Sequence, residues 1–349
     1  MFINKIIENF YGITFVILLV VFSKVLSELL LINNILLSSA FISILLGLIA
    51  GNFIKLNKQI QWFAEFSLKK LLRIGIALLG IGLSITQLIE YGSISIFLVF
   101  INIIFVFIIL FYLCKIFKIQ KNLGYLITMG TSICGVTAVI ATSSIIKANK
   151  SETSYAVAIV TLFGIITVFT YPYLANYLFK DFPELAGVFL GTSINDTAQV
   201  SAAGYIYSEN YDSESALNAA MTTKLLRNSF LVFLIPLIAY MSVEKNKANI
   251  KYSIKSFFPL FVVGFILFSI IRSIGDQFLV ELNHIYYWEK LIEIIITISK
   301  YCILLAMVAL GLQTKIKELV TLGYKPLLIG FTASILVGII SITFLKNFI

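Results

Sequence analysis

Apolar runs of membrane-spanning length follow one another along the whole chain, separated by short polar breaks. An α-helix needs about 20 such residues to cross the hydrocarbon layer of a bilayer. Eleven windows qualify: 10–27, 35–53, 71–89, 94–114, 125–146, 154–178, 185–206, 217–240, 256–274, 291–312 and 325–345. The breaks alternate in charge. Lys55, Lys58, Lys69 and Lys70 follow the second window, and Lys115, Lys118 and Lys121 the fourth. Lys245, Lys247, Lys251 and Lys255 follow the eighth, and Lys315 and Lys317 the tenth. The intervening breaks carry Glu28, then Glu90, then Glu209, Asp212 and Glu214, then Asp276, Glu281 and Glu289. Lysine and arginine concentrate on the cytoplasmic side of membranes, so this pattern predicts a cytoplasmic N-terminus and an outer C-terminus. One break conflicts with it: the connection after the fifth window is predicted outside yet holds Lys147 and Lys150.

Two windows are interrupted by the same four residues. Gly130-Thr131-Ser132-Ile133 continues into Cys134-Gly135, and Gly191-Thr192-Ser193-Ile194 into Asn195-Asp196. Glycine loosens a helix, and Thr, Ser and Asn compete for its backbone hydrogen bonds. Loosened backbone at membrane depth is tolerated only inside protein or along a wet cavity. Small residues also let helices pack closely. Two matching copies, the second carrying an acid, favour a transport site instead.

Windows two to six and seven to eleven form two sets of five, which an odd number of crossings inverts relative to each other. Ala77-Leu78-Leu79-Gly80-Ile81-Gly82-Leu83 echoes Ala306-Met307-Val308-Ala309-Leu310-Gly311-Leu312. The expectation is an all-α polytopic membrane protein of about 11 helices with inverted five-helix repeats. Its two interrupted, crossing helices would be the fifth, at Gly130 to Gly135, and the tenth, at Gly311. The chain, 1–349, reads as one transporter domain: an extra helix over 1–30 and repeats over 35–180 and 184–349.

Only 12% of the residues are charged, against about one quarter in soluble domains. The net charge of +9 is explained by cytoplasmic loops rather than by nucleic acid. Cys114, Cys134 and Cys302 form no CxxC or Cys-His cluster, so neither a metal site nor a cofactor is indicated. Nothing resembles an enzyme: no catalytic triad, HExxH or phosphate loop occurs. Asp196 stands near the middle of the seventh window, where an ionisable group is costly to bury and functional by default. Lys224 and Arg227 are three apart, on one face of a helix. They are placed to hold a small dianion, to pair with Asp196, or to lie at the headgroups if that helix begins later. Lys300 on the tenth helix would face a cavity or a partner.

At these residues the chain resembles a family of bacterial inner-membrane proteins labelled sulfate exporters, the YeiH type. The resemblance runs from about residue 45 to the C-terminus. It is carried by Leu71-Leu72-Arg73-Ile74-Gly75, Ser132-Ile133-Cys134-Gly135 with Ala138, and Phe163-Gly164 to Tyr171-Pro172. Further carriers are Ala198-Gln199-Val200 with Ala202-Ala203-Gly204, Lys224-Leu225-Leu226-Arg227, and Ala309-Leu310-Gly311-Leu312 with Lys325-Pro326-Leu327-Leu328. It implies a helix plan similar to bile-acid symporters and sodium–proton antiporters, which cross two broken helices. Two departures stand out. The family usually has His-Glu where this chain has Asn195-Asp196, and commonly an Arg where it has Gly82.

The expected function is secondary transport of a small anion, a sulfur-containing oxyanion being one such, coupled to protons or sodium. A passive anion channel and a membrane scaffold or sensor without flux are the contrasting classes. Thr131, Ser132, Cys134, Gly135, Thr192, Ser193, Asn195, Gln199, Lys224 and Arg227 are the expected substrate residues, and Asp196 the expected carrier of the coupling ion. Interrupted-helix N-termini would add partial positive charge. The partners are then the anion, the ion and the bilayer of a bacterial inner membrane. A homodimer is compatible with this plan.

Overall fold

The computed structural model describes residues 8–33, 37–242, 260–281, 285–314 and 324–348. The predicted lysine loops at 245–255 and 315–317 lie outside these residues. The described chain is helical, without strands. Its helices are α1 (Phe10–Ile32), α2 (Ser39–Phe53), α3 (Lys58–Phe66), α4 (Leu72–Leu79), α5 (Ile85–Ile116), α6 (Lys121–Ser132), α7 (Val136–Ile145) and α8 (Lys150–Phe179). They continue as α9 (Pro183–Ser193), α10 (Thr197–Tyr211), α11 (Glu214–Ser229), α12 (Leu231–Ser242), α13 (Leu260–Glu281), α14 (Ile285–Gln313) and α15 (Tyr324–Leu345). Among the described residues six spans are long and apolar enough to cross a membrane, in α1, α5, α8, α13, α14 and α15. The protein is an all-α membrane protein.

The chain folds as two compact units that interleave along the sequence rather than dividing it in half. One comprises residues 1–89, 204–218 and 260–316, the other 90–203, 219–259 and 317–349.

The first unit is held together by backbone-to-backbone approach. Gly47 and Gly51, four apart on α2, lie against α14. A Cβ on Gly47 would come 2.2 Å from the Val308 carbonyl, and one on Gly51 2.5 Å from that of Leu312. Gly311 answers from α14, where a Cβ would come 2.3 Å from the Ile44 carbonyl. This spacing of small residues is the membrane solution to close packing where lipid supplies no hydrophobic drive. It also corrects the expected pair of interrupted helices. Ala309 to Leu312 lies within continuous α14, because Gly311 serves packing and not a break. The second interruption falls in the seventh window, at 194–196. α3 passes through a π-turn at Ser67–Leu71 into α4, which ends in a 3₁₀ turn at Gly80–Gly82. α13 secures that end: Ser269 donates to the Leu83 carbonyl at 2.9 Å, and Ser273 accepts from the Ile85 amide at 2.7 Å. Lys300 pairs with Glu214 at 2.5 Å beside Asn218 and Gly82.

In the second unit, α6 and α7 fold back on each other as a hairpin. A Cβ on Gly130 would lie 2.7 Å from Cγ2 of Val139. In a straight helix nine residues apart, the two would be about 13 Å apart. The reversal uses Gly135 at φ +66°, a conformation open to glycine, and a bond from its amide to the Gly130 carbonyl at 2.9 Å. Phe117 and Ile119 before α6, and Ile146 and Ala148 after α7, pack on one apolar cluster with Leu123, Val139 and Val160. Lysines in the left-handed conformation close the preceding and following turns. Lys118 ends α5, with a bond from Ile119 N to Cys114 O, and Lys147 ends α7, with one from Ala148 N to Ser143 O. Both are six-to-one helix terminators, and their positive charge suits a helix C-terminus. The hairpin offers a reason for the charge of Lys147 and Lys150: the residues before α6 and after α7 pack on one cluster. Within this unit α5 is joined to α11 by Ser95 and Thr223 at 2.6 Å, and to α15 by Asn102 and Ser341 at 2.8 Å.

Cysteines placed at Gln120 and at Lys147 are therefore expected to react with an impermeant thiol reagent from the same face of the membrane. Labelling from opposite faces would show that α6 and α7 cross it.

Candidate functional site

The two interruptions meet in the second unit. At Gly135 a Cβ would lie 2.8 Å from Oδ2 and 2.9 Å from Cβ of Asp196. Only a glycine lets the first break approach the second this closely. Each break leaves the C-terminal carbonyls of one half-helix and the N-terminal amides of the next without helical partners. Four half-helix ends thus face one small volume: the C-termini of α6 and α9 and the N-termini of α7 and α10.

The exposed carbonyls are taken by α11. Lys224 Nζ donates to the carbonyls of Ile133 at 2.9 Å, Ile194 at 3.0 Å and Asn195 at 2.5 Å. All three ammonium protons are thereby used. Arg227 donates through Nε to Ser132 O at 3.0 Å and through Nη1 to Thr192 O at 2.7 Å and Ile194 O at 3.1 Å. Its Nη2 donates to Thr131 O. Both side chains are essentially fully buried. The i, i+3 spacing puts them on one face of α11, and each bridges both interruptions. Gly191 makes room: a Cβ there would meet the Ala220 carbonyl of α11 at 2.5 Å.

Asp196 takes an amide. Its Oδ1 accepts from Ala198 N at 2.9 Å, an N-cap on α10, while its Oδ2 lies against Gly135, immediately before the first residue of α7, Val136. Gln199 orients this turn, accepting from Asp196 N at 3.2 Å and donating to the Thr161 carbonyl of α8 at 3.3 Å.

The repeated motif divides its labour the same way twice. Thr131 and Thr192 return their hydroxyl protons to their own helices, at Ile127 and Val188, 2.8 and 2.9 Å away. Ser132 and Ser193 are buried, and their hydroxyls have no partner among the described residues. The same is true of Asn195 Oδ1. Cys134 is buried in the first break. The ten expected substrate residues and Asp196 thus fall in one neighbourhood, but the donors of Lys224, Thr131, Thr192 and most of Arg227 are engaged within the protein. Asn228 was not anticipated. Its Nδ2 donates to Thr197 Oγ1 at 3.0 Å while its Oδ1 is unpartnered. Its position beside Arg227 was the only available signal.

Each helix end carries roughly half an elementary charge. Two C-termini, at about −1, face two cations, and two N-termini, at about +1, face one carboxylate. With all three side chains ionised the site keeps roughly one uncompensated positive charge.

Arg227→Lys is expected to destabilise the protein by about 1–3 kcal/mol, since the three donors of an ammonium cannot replace the four bonds that the planar guanidinium makes to Thr131, Ser132, Thr192 and Ile194. Thermal unfolding in nanodiscs reads this out, and an unchanged transition contradicts the bridging role.

A family description, conserved hypothetical protein 698, matches residues 11–330. The chain is 31% identical over 313 residues to a UPF0324 membrane protein of Fusobacterium nucleatum, covering 86% of this chain and 88% of that one. It is 29% identical over 301 residues to a UPF0324 membrane protein of Streptococcus agalactiae, covering 86% and 87%. It is 32% identical over 297 residues to the UPF0324 inner membrane protein YeiH of Escherichia coli, covering 84% and 81%. No solved structure matches.

Proposed function

We propose that this chain, which belongs to the conserved hypothetical protein 698 family of membrane proteins, is a secondary transporter of a small anion. The observation that carries the reading is that the two interrupted helices meet around buried Lys224 and Arg227, which with Asp196 ionised leave the site roughly one positive charge in excess. A buried net charge is costly, and an anionic ligand offsets it. Half-helices meeting inside the protein, with unpartnered hydroxyls beside them, are the arrangement by which transporters hold small ions. A sulfur-containing oxyanion suits these donors.

In this reading Lys224 and Arg227 attract the anion through their field, since the donors of Lys224 and four of the five of Arg227 are spent on carbonyls. Ser132, Ser193 and Asn195 supply the polar contacts. Asp196 carries the coupling proton or sodium, being the acidic side chain within the cluster. The protein would work in a bacterial inner membrane with its N-terminus in the cytoplasm.

Purified protein in liposomes tests this, with labelled sulfate and other small oxyanions offered against imposed pH or sodium gradients. Wild type is expected to accumulate an anion. Asp196→Asn is expected to lose gradient-driven accumulation while keeping exchange of anion for anion. Gradient-driven accumulation unchanged in Asp196→Asn would remove Asp196 from coupling, and no saturable flux of any anion would remove the transporter reading.

A further inference from the structure

The two poles of the site differ in access. At the carbonyl pole, Lys224 is 0% and Arg227 1% exposed, and the ammonium has no donor left. At the amide pole, Asp196 and Thr197 are partly exposed and Thr137, in the first turn of α7, is exposed. Asp196 is held there by the Ala198 amide and not by a direct ion pair: among the described residues no salt bridge joins it to Lys224 or Arg227. Its two oxygens serve different helices. Oδ1 caps α10 through Ala198, and Oδ2 lies against Gly135, where α7 begins.

A carboxylate seated on the first turns of two half-helices occupies the place where a free anion would bind best. A second feature points to a ligand at the same place. Asn228, only 7% exposed, touches the first residue of α10 through Nδ2 and leaves Oδ1 unpartnered. Asn195 Oδ1, in the break itself, is unpartnered and 1% exposed. Buried polar atoms of this kind are ordinarily satisfied, so these await a partner.

We propose that the N-termini of α7 and α10 form the oxyanion subsite, and that Asp196 fills it as an internal anion which the substrate displaces when Asp196 takes up a proton. The inference rests on the anion-transporter reading and assigns its binding geometry. The proton comes from water and ends on an Asp196 oxygen. The neutral carboxyl then has a hydrogen to donate, and the orphan oxygens of Asn195 and Asn228 are acceptors for it. The Ala198 amide passes to the incoming anion, and Val136, the first residue of α7, offers its own amide beside it. One proton enters with the anion, so a dianion such as sulfate brings a net charge of −1 and offsets the roughly one positive charge the site otherwise keeps. Asp196 presents two oxygens on one carbon, so the subsite suits anions with two oxygens on one centre over a spherical halide. The charged and titratable groups around it are Lys224 and Arg227 on α11 and Cys134 in the first break.

Equilibrium binding of labelled sulfate to the purified full-length protein in nanodiscs, with unlabelled sulfite and chloride as competitors, tests this. Wild type should bind sulfate more tightly in acidic than in alkaline buffer. Asp196→Asn should bind it roughly tenfold more tightly than wild type in alkaline buffer, with the pH dependence gone. Sulfite should compete and chloride should not. Val136→Pro removes one amide at a helix position where proline is tolerated, and should weaken sulfate binding in wild type and in Asp196→Asn alike. It keeps the test decisive if Asp196→Asn does not fold. Loss of sulfate binding in folded Asp196→Asn, retention of the wild-type pH dependence, indifference to Val136→Pro, or failure of sulfate and sulfite to bind any variant would each overturn the subsite. Saturable anion flux in liposomes alongside such a failure would leave the transporter reading standing.

Discussion

Two helix interruptions inside a membrane protein create more unsatisfied backbone than side chains ordinarily cover, and the second unit depends on how this is met. Lys224 and Arg227 take carbonyls from Thr131 to Ile133 and from Thr192 to Asn195. Asp196 takes the Ala198 amide at the start of α10 and lies against Gly135 at the start of α7. In hydrocarbon each such group would cost several kcal/mol if left alone. A lysine and an arginine are costly there too, unless every donor finds an acceptor. Each set of groups is stable only because the other is present, and that mutual dependence fixes where the breaks fall.

Glycines permit the arrangement by removing side-chain bulk where backbones converge. Gly135 admits Asp196, Gly191 admits α11, and Gly164 admits the Gln199 amide, whose Oε1 lies 1.9 Å from where a Cβ would stand. These residues carry no chemistry themselves. They bring chemistry on four helices within hydrogen-bonding reach.

Much of this was legible in the sequence, and the remainder was hidden for physical reasons. Apolar runs announce helices, and the repeated Gly-Thr-Ser-Ile announces interruptions, because its composition is wrong for plain helix. The same logic failed at Gly311, since small residues serve packing and breaking alike, and only the neighbouring backbone distinguishes them. The fold-back of α6 on α7 was hidden because a hairpin of two short helices has the same length and hydropathy as one crossing. Its trace was the misplaced charge of Lys147 and Lys150. The different fates of Thr131 and Ser132 depend on which way each hydroxyl points, which residue type does not encode. Lys224 and Arg227 read as ligands for an anion because two cations on one face suit one equally well. Their use on carbonyls requires knowing where both breaks end.

The central claim is that Lys224, Arg227 and Asp196 act as one electrostatic unit across the two breaks. A double-mutant cycle on Lys224→Met and Asp196→Asn, read by thermal or denaturant unfolding in nanodiscs, tests it most directly. The account predicts coupling of more than about 1 kcal/mol, with Asp196→Asn relieving part of the loss caused by Lys224→Met. Losses that simply add would mean the charges are independent, and would contradict it.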